Sequence, residues 1–575
     1  MANKKARVND SNGGGVGYLQ TIRIPLYKNL SSRAPNISGG DSLLSNCFPE
    51  KYETKDTGSQ SFCIVKRPGL RSYSQPTGGA AAGRGIYSWN GDIYSVFNSS
   101  IYKNGTLLMS NMGTSTKLVN FNETNPDAPT QYLAVNDGSW LYLIDTGGSV
   151  TILNNVAITS SSVANPTVIT TATAHGLVTG NKVVIKNHSG STPSINDTTY
   201  TVTVTGTNTF TIPVNVTVAG TGGTIGIFPA NSRHLEVLDG YMFVGTSTGR
   251  IYNCDYNDPT NWQTTSYIVA QMTNDELVGL ARQNNYLVCL KEKTTQFLYI
   301  SGNNITGQTP LANAEQAINQ IGCAAVDSIQ SLEDELFWIG SGASGGFSVY
   351  KVVGTSQIID LGEASINRML DVEGSNLSEA VGNYFKISGH VFYAIYLKNN
   401  NLTYVWVNDS KCWVKWTSTT NLGTPWPITS TANCTTPSLG AFGSSLFGQD
   451  RTNGKIYNIT PYYYQDDGVN FSISISIPKT DLDTNKRKFW ERVELVADTK
   501  TINDAGASTS CPVSINYSDD DGVTYSTPRT FDLNNTRVWS RAWGNGRRRT
   551  WLLDITSATN FRAYSLEADI RIGEF

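Results

Sequence analysis

Residues 235 to 262 read LEVLDGYMFVGTSTGRIYNCDYNDPTNW. The run divides into a strand, a tight turn, a strand, a second turn and a third strand. Asp239-Gly240 is a turn dipeptide, because glycine takes a positive φ without steric cost and aspartate tolerates it. Tyr241 to Val244 is an aromatic and β-branched run that suits a buried, pleated surface. Ser247-Thr248-Gly249 turns the chain again, and Ile251-Tyr252 starts the return strand. Asp258-Pro259 is expected to end pairing, since proline has no donor for a ladder.

The pattern recurs. Asn90-Gly91 leads into Ile93, Tyr94 and Val96, Asp137-Gly138 into Trp140 to Ile144, and Asn284-Asn285 into Tyr286 to Val288. Asp334-Glu335 leads into Leu336 to Ile339, Gly389 into Val391 to Ile395, and Gly443 into Leu446-Phe447. Apart from one longer gap, the turns fall roughly 45 to 55 residues apart, the period of a β-propeller blade that buries its faces against its neighbours. The expected fold is all-β: an irregular β-propeller of about six blades, with a small β-barrel inserted and a C-terminal β-sandwich. An irregular array of sandwiches is the alternative that regular hairpins also allow.

Bulk properties narrow the function. Charged residues are 15% of the chain, glycines number 53, and the formal net charge is −3. A nucleic-acid-binding surface would show a basic excess. A protein along which DNA slides would avoid one too, because Lys and Arg contacts to phosphate hold DNA in place. The eight cysteines are scattered without a CxxC pair, and only four histidines are present. They read as buried thiols in a reducing cell rather than a zinc site. The polar, glycine-rich N-terminus lacks a signal-peptide core, and no stretch reaches transmembrane length. The chain is therefore expected to be soluble and made in the cytoplasm.

Taken in order, residues 1–80 are expected to form an N-terminal arm and lead-in segment. Within it, Ile22, Ile24 and Leu26 mark a short strand, and Lys66-Arg67-Pro68-Gly69-Leu70 an extended-then-turn element. Residues 81–159 carry the first blades, 160–228 the inserted unit, 229–460 the rest of the propeller and 461–575 the sandwich. Two segments read as helical: Leu311 to Gln320, Ala-rich after Pro310, and Ala364 to Leu370, with Ile366, Met369 and Leu370 on one face. The repeats end in an aromatic run, Tyr462-Tyr463-Tyr464.

Candidate chemistry is sparse. Ser518 to Tyr525 fits the S-x-D-x-G-x-T-aromatic pattern of an Asp box, a hairpin whose Asp accepts turn amides while the aromatic packs beneath. Its acids lack the spacing of a calcium loop. Arg547-Arg548-Arg549 is the densest positive cluster and reads as a solvated strand edge or as a contact to DNA or an acidic partner. Asp466-Asp467, Asp481 and Asp483 are the candidate carboxylate pairs for glycoside hydrolysis. His175, His188, His234 and His390 read as turn or structural histidines without ligand spacing. No catalytic, cofactor-binding or metal residue is assigned, no cofactor is expected, and the protein is not expected to be an enzyme.

Several stretches together resemble the tail nozzle, or packaged-DNA stabilisation, proteins of short-tailed bacteriophages. They are Asn46, Glu50, Arg67-Pro68-Gly69-Leu70 and Gly83-Arg84-Gly85, then Asp258-Pro259-Thr260-Asn261-Trp262 with Val278-Gly279-Leu280. Gly322-Cys323-Ala324-Ala325, Leu336 to Gly340, Val349-Tyr350-Lys351, Tyr517 to Asp520 and Trp539 to Arg549 complete the set. Residues 160–228 depart from the family and are similar to a small AHGL-type β-module. The resemblance implies a homohexameric ring in the virion tail, below the portal and a head-to-tail adaptor protein. It also implies double-stranded DNA passing through the lumen without sequence-specific binding, attachment of tail fibres or tailspikes, and a possible tip plug protein. The alternative is a virion propeller that binds or hydrolyses glycans.

Overall fold

The computed structural model describes residues 19–27, 44–53, 60–229, 232–270, 272–302, 308–332, 334–342, 345–354, 356–418, 422–434, 445–535 and 537–573. Residues 1–18 of the expected arm and the turn residue Gly443 lie outside them.

The template stretch folds largely as read. Ser232–Leu238 pairs with Tyr241–Thr246 across a two-residue turn, with Leu238 opposite Tyr241. Asp239 and Gly240 take φ of 48° and 81°, the doubly positive geometry that matches strand twist in a hairpin. Asn90-Gly91 repeats it at 47° and 82°. Every residue of Tyr241–Thr246 is buried. Asp258-Pro259 does not end pairing; it starts the outer strand Asp258–Val269. Proline is tolerated there because the strand has a free edge and the register shifts at Cys254/Asp255.

Five such four-stranded antiparallel sheets stand alone as blades: 83–109, 232–269, 277–319, 330–360, and 428–460 completed by Gly69–Ser74. Two more four-stranded meanders, 120–153 and 381–416, share the ring but continue into larger sheets. The first strands lie side by side in sequence order, and Ile428–Cys434 returns to Gly83–Trp89. The expected count of about six is thus corrected to five free-standing blades plus two continuous ones. The turns of the two continuous blades, Asp137-Gly138 and Ser388-Gly389, stand in the same pattern as the others. Closure is helped by the buried Gln449, whose amide donates to Val96 O at 2.8 Å and whose carbonyl accepts the Gly85 N–H at 2.8 Å.

The inserted strands run from Val156–Ser161 to Thr224–Ile225. Lys182–Lys186 pairs in parallel with the blade strand Val150–Leu153, so insertion and blade form one eleven-stranded sheet. Within the insertion the pairings run in a circuit. Lys182–Lys186 meets Thr224–Ile225, then Val156–Ser161, Thr167–Thr171, Thr209–Ile212 and Thr203–Gly206, and returns through Thr199–Thr201. Ile169, Val183, Phe210 and Ile225 are fully buried at its centre.

The C-terminal segment forms two sheets over one core that includes Trp490, Val513, Trp551, Leu553 and Leu566. The described part of the lead-in segment belongs here, including the strand expected at Ile22, Ile24 and Leu26. Leu19–Pro25 pairs with Arg562–Ile572, Leu44–Ser45 with Ser472–Thr480, and Gln60–Lys66 with Arg562–Ile572. The chain then crosses to the propeller at Arg67-Pro68, and Gly69–Ser74 closes the last blade. No turn forms at Gly69. Its missing Cβ is needed for close approach: an added one would lie 2.2 Å from Tyr463 O and 2.5 Å from Gln465 O.

Ala364–Glu373 is helical as expected, and Ile366 and Leu370 enter the core beside Phe337 and Tyr393. Leu311–Asn319 is a strand, contrary to the helix reading. Isolated helices shorter than about 12–15 residues are marginal. The open edge of Thr295–Ile300 supplies ladder partners instead, with Ile300 opposite Leu311.

Candidate functional site

Asn46, Glu50 and Arg67 to Leu70, which carry part of the family resemblance, meet at the joint between propeller and C-terminal sheets. Arg67 has a fully buried side chain. It donates to both carboxylate oxygens of Asp466 (3.0 and 2.5 Å), to Asn46 Oδ1 (2.9 Å) and to the carbonyls of Pro68 and Thr417 (2.8 Å each). Its guanidinium lies 3.8 Å from the centre of the Phe471 ring. Asn46 stands at φ 57°. Its Oδ1 also accepts the Thr417 N–H at 2.8 Å, and its amide donates to Thr417 Oγ1 and Ser472 O. These contacts lock four distant segments together. They also consume Asp466, the first of the candidate carboxylates. Asp467 pairs with Lys455 at 2.5 Å, while Asp481 accepts the Asp483 amide in an exposed turn. The four do not converge as a hydrolytic pair.

Beside this joint lies a pocket of about 310 Å3. Its walls come from Phe48 and Glu50, from Ile387 to His390, from Pro461, Tyr462 and Tyr464, and from Asp498 and Asn560 to Arg562. Glu50 accepts from Arg562 at 2.7 Å and stands 3.3 Å from His390 Nε2, whose Nδ1 is 2.8 Å from Asp409. Lys66 turns its ammonium to the carbonyls of Ser557 (2.7 Å) and Thr559 (3.4 Å) and sits 4.4 Å from the Phe471 ring centre. Burial, reinforced by neighbouring Arg67, pushes its pKa down to about 7.

A second cavity, about 520 Å3, is the central channel, lined from all seven first strands. Tyr87, Asn122, Glu236, Arg282, Gln330, Tyr384 and Thr431 face it. Glu236 looks into the channel but is ringed by protein, and burial raises its carboxyl to about 8 against the opposing pull of Arg282 and Asn122. Its only sequence signal was one acid amid an apolar strand. The cavity lies in the size range of small-molecule pockets, about 300–1,000 Å3, and is far too small for duplex DNA.

The other candidates hold the fold. In the Asp box, Asp520 accepts the Thr524 hydroxyl (2.5 Å) and amide (2.9 Å) and the Ser518 hydroxyl (2.7 Å). These bonds, the Thr524 hydroxyl's first, hold its carboxyl down at about 2. Tyr525 stays 38% exposed instead of packing beneath. Arg549 corrects the reading of the arginine run as a solvated edge. It is buried, paired through two 2.8 Å bonds with Asp519, and lies 3.6 Å from the Tyr517 ring centre. Arg547 and Arg548 are exposed, but their hairpin abuts the acidic Asp519 turn.

His175 accepts the Leu177 N–H on Nδ1 and donates from Nε2 to Gly206 O, each at 3.0 Å. His188 contacts Gly222 O (2.6 Å) and Ser161 Oγ (3.0 Å), and His234 contacts Leu280 O (2.7 Å). All eight cysteines are buried, and no disulfide joins any of them. Burial pushes Cys63 and Cys412 up to about 11 and Cys254 to about 12, far from a reactive thiolate.

Comparison with known proteins adds the family. The family profile described as "Bacteriophage P22 Gp10, beta-propeller" matches residues 23–458. No curated protein matches the sequence. Among solved structures, the N-terminal domain of Nup159 aligns at 9% identity, covering 73% of this chain and 99% of its own, with a TM-score of 0.34. BamB from Moraxella catarrhalis aligns at 9% identity over 69% and 100%, with a TM-score of 0.28. The computationally designed Ika8 aligns at 11% over 68% and 99%, with a TM-score of 0.31. Scores this low carry no argument about fold or function.

Proposed function

As a member of the bacteriophage P22 Gp10 β-propeller family, this chain is a structural protein of the phage virion, and we propose that it is the tail nozzle subunit of a short-tailed phage. The profile match across residues 23–458 carries this reading. In it, copies of the chain form a homohexameric ring below the portal and its adaptor protein. The ring retains packaged DNA, conducts it during ejection, and offers attachment for tail fibres or tailspikes.

Physical features support the reading. The channel of one propeller is too small for a duplex, so the DNA path would run between copies. A ring of that kind closes through a heterologous interface, one face of each copy meeting a different face of the next. A modest net charge of −3 suits a conduit, because phosphate contacts by Lys and Arg would hold DNA in place. Asp466, Asp467 and the histidines are engaged in holding elements together, as a scaffold requires. No helix among the described residues is long and apolar enough to cross a membrane.

The test is the solution mass of the purified chain, with negative-stain images, alone and mixed with adaptor-bearing tail complexes. A ring is expected, either alone or on the adaptor. A chain that stays monomeric and ignores the tail complex would remove the nozzle reading.

A further inference from the structure

We propose that the joint pocket binds a neutral saccharide unit, with Tyr462 as the platform on which the sugar ring stacks. The inference goes beyond the nozzle reading and stands or falls independently of ring formation.

Tyr462 is the most exposed large hydrophobic residue among those described, at 76%. Its backbone is held in place. Its N–H meets Thr460 Oγ1 at 3.3 Å, the Tyr463 N–H meets Thr460 O at 3.4 Å, and the chain beyond is held tight against Gly69. An aromatic ring left open to solvent on a held backbone offers a face for stacking at little backbone cost on binding. Tyr464 adds a second ring at the pocket, and Phe48 and Phe561 close its floor.

The polar groups decide the ligand class. Glu50 is matched by Arg562, and the Lys66 ammonium is spent on main-chain carbonyls. The pocket therefore offers no unmatched cation pair for a phosphate or carboxylate. No group of three or more potential metal ligands exists among the described residues, so a divalent ion does not fit either. What remains is a mixture of donors and acceptors. Asn560 accepts the Ile502 N–H on Oδ1 at 2.9 Å, and its NH2 makes no hydrogen bond among the described residues. Asp498 accepts the Tyr564 hydroxyl on Oδ1 at 2.9 Å and has a second oxygen to offer. Vicinal hydroxyls both donate and accept, and the C–H face of a sugar suits an aromatic ring. A volume of about 310 Å3 is at the lower end for ligand pockets, which fits a mono- or disaccharide unit.

The experiment titrates the full chain, observed by saturation-transfer NMR. The probes are glucose, galactose, mannose, rhamnose and N-acetylglucosamine, their common α- and β-linked dimers, inorganic phosphate, and a short proline- and tyrosine-containing peptide. At least one saccharide is expected to bind. Tyr462→Ala is expected to weaken it by at least about tenfold with the melting temperature unchanged, since the side chain packs into no core. Asp498→Asn is expected to weaken it less, and phosphate should not compete. Failure of every sugar to bind, unchanged binding in Tyr462→Ala, or displacement by phosphate or the peptide would overturn the proposal.

Discussion

Deleting residues 19–74 is expected to abolish cooperative folding of the whole chain, although the segment precedes most of the propeller. The deletion removes Leu19–Pro25 and Gln60–Lys66, both of which pair with Arg562–Ile572. It removes Leu44–Ser45, which joins the blade strand Cys412–Trp416 to Ser472–Thr480. It also removes Gly69–Ser74, leaving Ile456–Thr460 as a bare edge in the last blade, and an exposed unpaired edge invites aggregation. Native domains are stable by only about 5–15 kcal/mol. The buried side chains lost, among them Ile24, Leu44, Cys47, Ile64 and Leu70, are each worth about 1.5–3 kcal/mol when large and aliphatic. Soluble yield and a thermal melt followed by circular dichroism check this. An insoluble product, or one without a sharp transition, is expected. A soluble variant with the parent melting profile would refute it.

Arg67→Met and Asp466→Ala are expected to be the most damaging single substitutions. Their side chains are 0% and 7% exposed, and breaking a buried pair by removing one partner costs about 3–5 kcal/mol because the other charge is left unpaired. Arg67→Met also strips donors from Asn46 and the Thr417 carbonyl, each with its own desolvation penalty. A chain of this size need not melt in one step. The check is therefore the midpoint of the transition followed by tryptophan fluorescence, to which Trp490, Trp543 and Trp551, packed together in the C-terminal sheets, contribute. Both variants should lower it markedly. The double variant Arg67→Met/Asp466→Ala should recover part of the loss, because it leaves neither charge buried alone. A double variant as damaged as the sum of the singles would show that the pair is not the source of the effect.

The blades were legible because their signals are local. Asn90-Gly91, Asp239-Gly240 and Ser388-Gly389 each fix a hairpin within a few residues, and the Asp box spells out its own turn. What could not be read depends on distance along the chain. Arg67 and Asp466 are 399 residues apart, and no periodicity announces that pairing. The same holds for the joint pocket: Glu50 meets His390 across 340 residues and Arg562 across 512. The Leu311 to Gln320 run was misread for a related reason. Its alanines state a weak preference that an open strand edge overrides. Asp258-Pro259 was misread because proline forbids a ladder bond only where one would be made, and an outer strand leaves positions free. Arg549 reads as one of three equal arginines until Tyr517, Asp519 and Trp551 are seen around it.

The most direct measurement is genome retention by particles assembled without this protein. Heads filled in its absence should lose DNA to added nuclease, and supplying the purified chain should restore protection while appending a ring-shaped tail end. Heads that hold their DNA equally well with and without the chain would contradict the account.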